Sequence, residues 1–513
     1  MNKNGIVYLI GAGPGDPGLF TIKGKQCLEK ADVVIYDYLV NPVLLQFARE
    51  EAEKIYVGKK RGHKEMAQGN INRLLVDKAK TGKVVARLKG GDPFIFGRGG
   101  EEAEELAKLG IPVEIVPGIT SASAVPAYAG IPLTHRDFTS SFVVVTGHEY
   151  PKKEKSNLSW EALAKTGTVV FLMGVRNIEE NMKKLIEFGK PPETPVAIIT
   201  WGTFPKQETI VGTLGDIGKI AKAKKVKPPA IIVVGEVVKL RETINWFETK
   251  PLFGKKVLVT RSRNQASVFV KFLEELGAEA IEFPTIEIIP PQSWNELDRA
   301  IENLGTYNWI IFTSVNGVLF FFERLKRKSK DLRELKGIKI AAIGEQTAKS
   351  VANLGLAVDI IPDDFKAEGI VERFRETDIK GKRILIPRAK EAREVLPLEL
   401  AQMGAEVHVV VVYETKKPSL KKIEGIGKML KNGKIDVITF ASSSTVRNFL
   451  SVFGKDREIF SSTIVACIGP ITAEPLRELG IKAEIICNKY TIAELTREIV
   501  SYFETNRQRD KNL

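Results

Sequence analysis

The chain has very little of what metal centres and disulfide scaffolds are made from. It holds three cysteines, Cys27, Cys467 and Cys487, and four histidines, His63, His135, His148 and His408. The cysteines are odd in number and far apart, which excludes a disulfide framework and fits a reducing compartment. No HExxH or paired-cysteine spacing occurs, so no metal is expected. No apolar run approaches the roughly 18 residues of a membrane span. The run Gly5–Gly11 leads straight into Pro14, Gly15 and Asp16, loop chemistry without a cleavage pattern. It reads as a first strand, and the chain as cytoplasmic.

What is present is positive charge. Lys and Arg total 77 against 63 Asp and Glu, a formal +14. Such an excess attracts polyanions: nucleic acid, phosphates, or a small molecule bearing many carboxylates. The densest clusters, Lys222–Lys227 and Arg324–Lys330, are also what solvated helix faces look like. With 43% hydrophobic and 27% charged residues over 513 positions, the composition is that of a soluble globular protein of three to four units, at about 150 residues each.

Short β-rich runs alternate with helical stretches through the first half. Ile6–Ile10, Val33–Tyr36, Val84–Leu88, Val113–Val116, Phe142–Thr146, Val169–Met173 and Ile231–Val234 read as strands. Ile22–Lys30 and Glu101–Lys108 read as helices. The alternation predicts a mainly parallel, helix-covered sheet. It breaks at Trp246–Gly254, where Pro251 and Gly254 precede a new strand, and a domain boundary belongs there. The second half repeats itself weakly: Trp309–Val318 parallels Asp436–Val446, and Ile343–Ala348 parallels Ile468–Ala473. Each unit is a buried strand, a Ser/Thr-rich loop, a helix and a strand with a Gly turn. Two similar α/β lobes around a cleft follow. The hydroxyl loops fall at strand carboxyl ends, where ligands sit, although each hydroxyl taken singly is a helix cap.

Gly13–Gly18 satisfies GxGxxG after a strand, with Asp37 near the place of a ribose-binding acid. A dinucleotide loop presents backbone N–H groups to pyrophosphate, and Pro14 and Pro17 have none. The spacing fits and the chemistry does not. A second loop, Arg87–Glu102, carries five glycines that let backbone approach a ligand closely. Asp92 offers an acceptor there, and Arg87, Lys89 and Arg98 offer positive charge. Val116–Ala122 makes a third small-residue loop at a strand end.

The segments Gly11–Pro17, Val33–Val40, Arg87–Glu102, Val116–Ser121 and Gly130–Arg136 resemble the tetrapyrrole methylase family over about residues 1–247. Lys89–Glu102, reading KGGDPFIFGRGGEE, is the most specific of them. The closest match within the family is the S-adenosylmethionine-dependent uroporphyrinogen-III C-methyltransferases. The resemblance implies a two-subdomain α/β unit with the cofactor in the cleft between subdomains. It implies contacts from Pro14, Gly90, Gly91, Asp92, Ile95, Thr120 and Ser121 of the first subdomain. Met173, Gly202 and Ala230 follow from the second. It also implies Asp37 as proton acceptor and Lys59, with Lys60 beside it, as proton donor. Bland roles stand alongside, a loop acceptor for Asp37 and a substrate-carboxylate partner for Lys59. A homodimer through this half is a further implication.

Over about residues 251–505 the chain resembles uroporphyrinogen-III synthases. The marks are Val259–Arg261, Phe283–Glu287, Phe312–Gly317, Ile343–Gly344, Val412–Thr415, Thr439–Ser442 and Ile468–Ala473, in that order. The implied fold is a two-lobed α/β unit joined by a β-ladder of Pro284–Ile289 with Val409–Thr415. One lobe would be about 252–283 plus 416–505, the other about 287–412, with 506–513 a frayed tail. The substrate's own electronics drive much of this ring closure and inversion, leaving the protein to fold the chain, stabilise charge and exclude water. No catalytic triad is therefore expected. Tyr413 is the candidate hydroxyl donor, with aromatic packing at a hinge as its other role. Arg261, Thr313, Ser314, Asn316, Thr347, Ser442, Ser443 and Thr472 are candidates for binding substrate carboxylates.

Together the resemblances imply one chain that cyclises hydroxymethylbilane to uroporphyrinogen III and methylates it at C-2 and C-7 to precorrin-2, for sirohaem or cobalamin. Ligands with eight carboxylates account for the charge without nucleic acid. The competing classes are a methylase with a non-catalytic tetrapyrrole-binding module and an RNA methyltransferase of the same fold. The second lacks an aromatic base-stacking stripe.

Overall fold

A computed structural model describes residues 5–58, 66–148, 157–261, 263–362, 367–454 and 457–511. There are two compact units: residues 1–257 with 269–281 and 496–513, and residues 258–268 with 282–495.

The first sheet contains β1 (Val7–Gly11), β2 (Val33–Tyr36), β3 (Glu53–Tyr56), β4 (Val85–Lys89) and β5 (Val113–Val116). Their order is β3-β2-β4-β1-β5, and every pairing is parallel. β1 and β2 are near-continuous apolar runs because both faces are covered, as parallel sheets require, while the middle strand β4 buries Arg87 and Lys89 among its apolar residues. One face packs on Ile71, Leu75 and Leu106 from helices Gln68–Lys80 and Gly99–Lys108. The other packs on Cys27 and Leu28 of helix Ile22–Lys30.

The second sheet contains β6 (Phe142–Thr146), β7 (Thr168–Leu172), β8 (Pro195–Thr200), β9 (Glu208–Thr213) and β10 (Ala230–Val234), in the order β6-β7-β10-β8-β9. The sequence pattern predicted mainly parallel pairing, and here that expectation fails. Only β6 and β7 run parallel, while β10 is antiparallel to both β7 and β8, and β9 is antiparallel to β8. The short connection Trp201–Gln207 accounts for the β8–β9 pair, since only antiparallel neighbours can be joined by a hairpin.

The second half of the chain supplies β11 (Lys256–Val259), β12 (Glu279–Glu282), β13 (Glu287–Ile289), β14 (Trp309–Phe312) and β15 (Lys339–Ala342). It continues with β16 (Arg383–Ala389), β17 (Glu406–Lys416), β18 (Val437–Phe440), β19 (Ile464–Cys467) and β20 (Ile485–Ile486). They form two sheets, β12-β11-β18-β19-β20 and β13-β17-β16-β14-β15. The internal repeat is visible in atomic detail. β14 pairs parallel with β15, and β18 with β19. Ser314 and Ser442 cap the helices that follow, at φ −165°, ψ 156° and φ −165°, ψ 155°. Gly344 and Gly469 open the next helices in the same way.

Two details depart from expectation. The antiparallel ladder is only Glu287–Ile289 against Glu414–Lys416. Upstream, Pro284 has no N–H to give and Thr285 donates to the Thr260 carbonyl instead, while β17 up to Tyr413 pairs with β16. At the far end, helix Ile492–Lys511 continues through residues read as a frayed tail. Leu495, Ile499 and Phe503 anchor it at i, i+4 and i+8, after which each further residue extends it cheaply. Among the described residues no helix is long and apolar enough to cross a membrane.

Candidate functional site

Three strand-end loops meet backbone to backbone in the first subdomain. After β1, Gly13 exchanges two hydrogen bonds with Gly91 from the loop after β4, at 3.2 and 2.8 Å. A Cβ on Gly11 would lie 2.5 Å from the Gly118 Cα, and one on Gly118 would lie 2.4 Å from the Gly91 carbonyl oxygen. Only glycine permits this approach. Asp92, nearly buried, fastens the assembly by accepting from Phe94 N at 2.8 Å and Gly118 N at 3.0 Å. Gly90 lies against Leu39, and Gly91 faces the Ser121 backbone. Thr120 caps helix Ser121–Tyr128. Ile95 is exposed, beside Phe94 and Phe96. Gly13–Gly18 carries Asp16 as the cap of a single 3₁₀ turn, and Gly13 is already paired, so the loop is no pyrophosphate cradle.

The second subdomain brings its candidates to the ends of adjacent strands. Met173 follows β7, Ala230 opens β10 opposite Thr200, and Gly202 lies in the β8–β9 hairpin. A Cβ on Gly202 would strike Val125 of helix Ser121–Tyr128 at 2.3 Å, and one on Gly15 would strike Phe204 at 2.2 Å. The hairpin thus closes on the first subdomain's loops. Backbone strain collects in the same places: Phe96, Arg98, Met173, Trp201 and Thr203 all adopt left-handed φ without being glycine. Met173 does so while 55% exposed. Strain of this kind costs about 1–3 kcal/mol per residue and gathers at ligand clamps.

Asp37, at the end of β2, accepts from Arg87 Nη2 at 2.7 Å and keeps its side chain 30% exposed. Arg87 is fully buried on β4, and its Nε reaches Glu102 at 3.3 Å. Lys89 Nζ and Gln68 Nε2 donate to the same Glu102 oxygen at 2.9 and 3.0 Å. The other oxygen, Oε2, is buried without a partner. Burial, and then the adjacent Arg87 charge, push the Lys89 ammonium below its usual range. Arg87 and Lys89 therefore do not offer charge to a ligand, as the sequence suggested; they neutralise Glu102 and hold Asp37. Arg98 pairs at the surface with Glu101. Sequence reasoning missed Glu102, whose burial a GGEE string does not signal. It also missed Tyr128, Thr203 and Asn41, which tie the Gly11–Gly18 loop through Asp16 and Gly15. Lys59 lies outside the described residues.

In the second half, the Tyr413 hydroxyl lies 3.0 Å from Ser314 Oγ. Its ring stacks on Phe320, and the residue is almost fully buried. Ser314 also accepts from Gly317 N, so its cap and the tyrosine share one hydroxyl. Thr313 precedes the cap and Asn316 lies in the first turn after it. Ser442 is bonded to Ser444 and Thr445, and Ser443 opens the helix behind it. Thr347 and Thr472 sit buried in the first turns of their helices. Arg261 is half-buried after β11, and burial lowers its pKa. Tyr413 and Ser314 are brought together; the Ser442 group belongs to the other sheet. Among the described residues no cluster of His, Cys, Asp or Glu could hold a metal ion.

Glycine-lined loops at the carboxyl ends of a parallel sheet, with strained loops from a second subdomain closing on them, define a methylase-type unit. The repeated sheets of the second half define a second enzyme unit. The chain belongs to the porphyrin-biosynthesis family that joins a tetrapyrrole methylase to a uroporphyrinogen-III synthase. Residues 6–218 match the model of the tetrapyrrole (corrin/porphyrin) methylases, and residues 267–497 that of uroporphyrinogen-III synthase HemD. Porphyrin biosynthesis protein HemD of Ruminiclostridium josui is 41% identical over 502 residues, 97% of this chain and 98% of that protein. A Methanosarcina barkeri protein, named as an S-adenosyl-L-methionine-dependent uroporphyrinogen III methyltransferase, is 54% identical over 241 residues, 47% of this chain and 94% of that one. Among solved structures, uroporphyrin-III C-methyltransferase of Thermus thermophilus, complexed with S-adenosylhomocysteine, is 40% identical over 46% of this chain and 100% of its own, with a TM-score of 0.40.

Proposed function

We propose that the chain performs two consecutive steps of tetrapyrrole synthesis. Its second half cyclises hydroxymethylbilane to uroporphyrinogen III with inversion of one ring. Its first half methylates that product at C-2 and C-7 to precorrin-2, for sirohaem or cobalamin. The cofactor is S-adenosylmethionine, which supplies an electrophilic methyl group. The observation that carries this reading is the Gly11–Gly91–Gly118 contact, backbone packed where no side chain fits, with the strained Thr203 bonded to Asp16 N of the loop after β1. Such a wall suits a ligand that must lie flat against main chain. Pro14, Gly90, Gly91, Asp92, Ile95, Thr120 and Ser121 would hold it from one side, and Met173, Gly202 and Ala230 from the other.

Asp37 receives the proton that leaves the substrate, with Lys59 as the matching donor. Arg87 holds Asp37 by one carboxylate oxygen, with the side chain still partly exposed. In the second half, Tyr413 donates a hydrogen bond while Ser314 fixes its hydroxyl. Arg261 and the repeated hydroxyl loops hold carboxylates, and the lobes exclude water. The working assembly is a cytoplasmic homodimer through the methylase half, with no nucleic-acid partner. The test is chromatography of products from hydroxymethylbilane. Type III uroporphyrinogen without cofactor, and a dimethylated product with it, are expected. Type I product without cofactor removes the synthase reading. Supplied uroporphyrinogen III that stays unmethylated removes the methylase reading.

A further inference from the structure

The segment between the two family-matched regions, residues 219–266, contains a carboxylate wired into the cofactor loops. Glu248 lies beyond the end of the methylase match. Its Oε1 accepts from Gln207 Nε2 at 2.8 Å and from Thr209 Oγ1 at 2.6 Å. Its other oxygen pairs with Arg241, which in turn donates to the Ala129 carbonyl at 2.6 Å. Both side chains of this pair are largely buried, at 12% and 14% exposure. A desolvated pair with good geometry is held far more firmly than a surface one.

From Glu248 the connections run inward. Gln207 is almost fully buried, and its Oε1 accepts from Thr203 N at 2.8 Å. Thr203 is a β-branched residue at φ +70°, a backbone state that needs outside support. Its Oγ1 then accepts from Asp16 N at 3.0 Å. Asp16 is held from the other side by Tyr128 OH at 2.7 Å. Three hydrogen bonds therefore separate Glu248 from the loop that holds Pro14, and the path passes through the neighbour of Gly202. Trp246 and Phe247 pack their rings on Tyr128, and Trp246 Nε1 donates to the Ala127 carbonyl at 2.9 Å.

We propose that Glu248 and Gln207 are positioning residues for S-adenosylmethionine. The joining segment fixes the strained Thr203 turn and the Asp16 loop in the shape that receives the cofactor. The inference rests on the assignment of these loops to the cofactor. The pattern is invisible in sequence, because Glu248 and Gln207 belong to no motif.

The test is calorimetric binding of S-adenosylhomocysteine to the full chain, with steady-state methylation alongside. Glu248→Ala should weaken binding about tenfold, the scale of one lost charge-assisted hydrogen bond. It should raise KM for the cofactor similarly while kcat at saturation stays within about twofold, since ordering, not chemistry, is lost. Glu248→Gln, which keeps an acceptor for Gln207 and Thr209, should recover most of the affinity. Where Glu248→Ala disturbs folding of the methylase half, Thr209→Val and Gln207→Glu carry the test, each breaking one link and each expected to weaken binding. Wild-type chain that does not bind S-adenosylhomocysteine overturns the cofactor assignment and this inference with it. Wild-type binding with unchanged affinity in Glu248→Ala and Gln207→Glu overturns the inference alone.

Discussion

The two halves of this chain offer opposite materials for the sites proposed in them. The proposed methylase site is main chain: Gly11 and Gly118 pack so closely that a methyl group on either would collide with peptide atoms, the Gly91 carbonyl among them. The strained Trp201–Thr203 turn of the second subdomain is bonded to the loop after β1 through Thr203 and Asp16. The site proposed in the synthase half draws on hydroxyl side chains of a duplicated scaffold, where Ser314 and Ser442 cap their helices at nearly identical geometry. A site made of backbone is exacting and leaves a sharp motif. A site made of capping hydroxyls is tolerant and leaves a faint one. The difference matches the chemistry proposed: methyl transfer needs exact approach, whereas a substrate that largely activates itself needs a shaped, charge-binding enclosure.

The comparison can be broken most severely at Asp37. Asp37→Asn should lower methyl transfer by about 10²–10⁴-fold, the range for a lost general base, and leave cyclisation untouched; rates of the two reactions measured separately decide it. Next comes Gly118→Ala, whose Cβ would meet the Gly91 carbonyl. It should destabilise the methylase half by about 1–3 kcal/mol and abolish S-adenosylhomocysteine binding, read by denaturant unfolding and calorimetry. Tyr413→Phe removes the partner of Ser314 and should slow type III formation about tenfold, one hydrogen bond's worth. The smallest effect sharpens the contrast. Ser442→Ala should cost about 1 kcal/mol as a lost cap, seen as a lower unfolding midpoint, with Thr445 N left without its acceptor.

Much of the methylase architecture was legible because its glycines and prolines are required where they stand. Pro14 and Pro17 argue against a dinucleotide loop, and the structure puts a 3₁₀ turn capped by Asp16 there. The antiparallel hairpin was not legible: β8 begins at Pro195 and its link to β9 carries Gly202 and Pro205, turn chemistry that hides two six-residue strands. Burial of charge was hidden too. Arg87 and Lys89 look like ligand-facing cations in sequence, and only packing reveals that Glu102 consumes them. In the second half the repeat of strand, serine and helix was readable, because a cap has a fixed place relative to its helix. Which hydroxyl meets a tyrosine was not, since Ser314 and Tyr413 are 99 residues apart. Nor does any local pattern link Glu248 to Thr203.

The most direct test places Asp37→Asn and Tyr413→Phe side by side, each given hydroxymethylbilane with S-adenosylmethionine and analysed by product chromatography. The account predicts that Asp37→Asn accumulates unmethylated type III uroporphyrinogen. Tyr413→Phe should divert bilane to the type I isomer while methylating whatever type III it forms. A normal isomer ratio from Tyr413→Phe, or full methylation by Asp37→Asn, would contradict it.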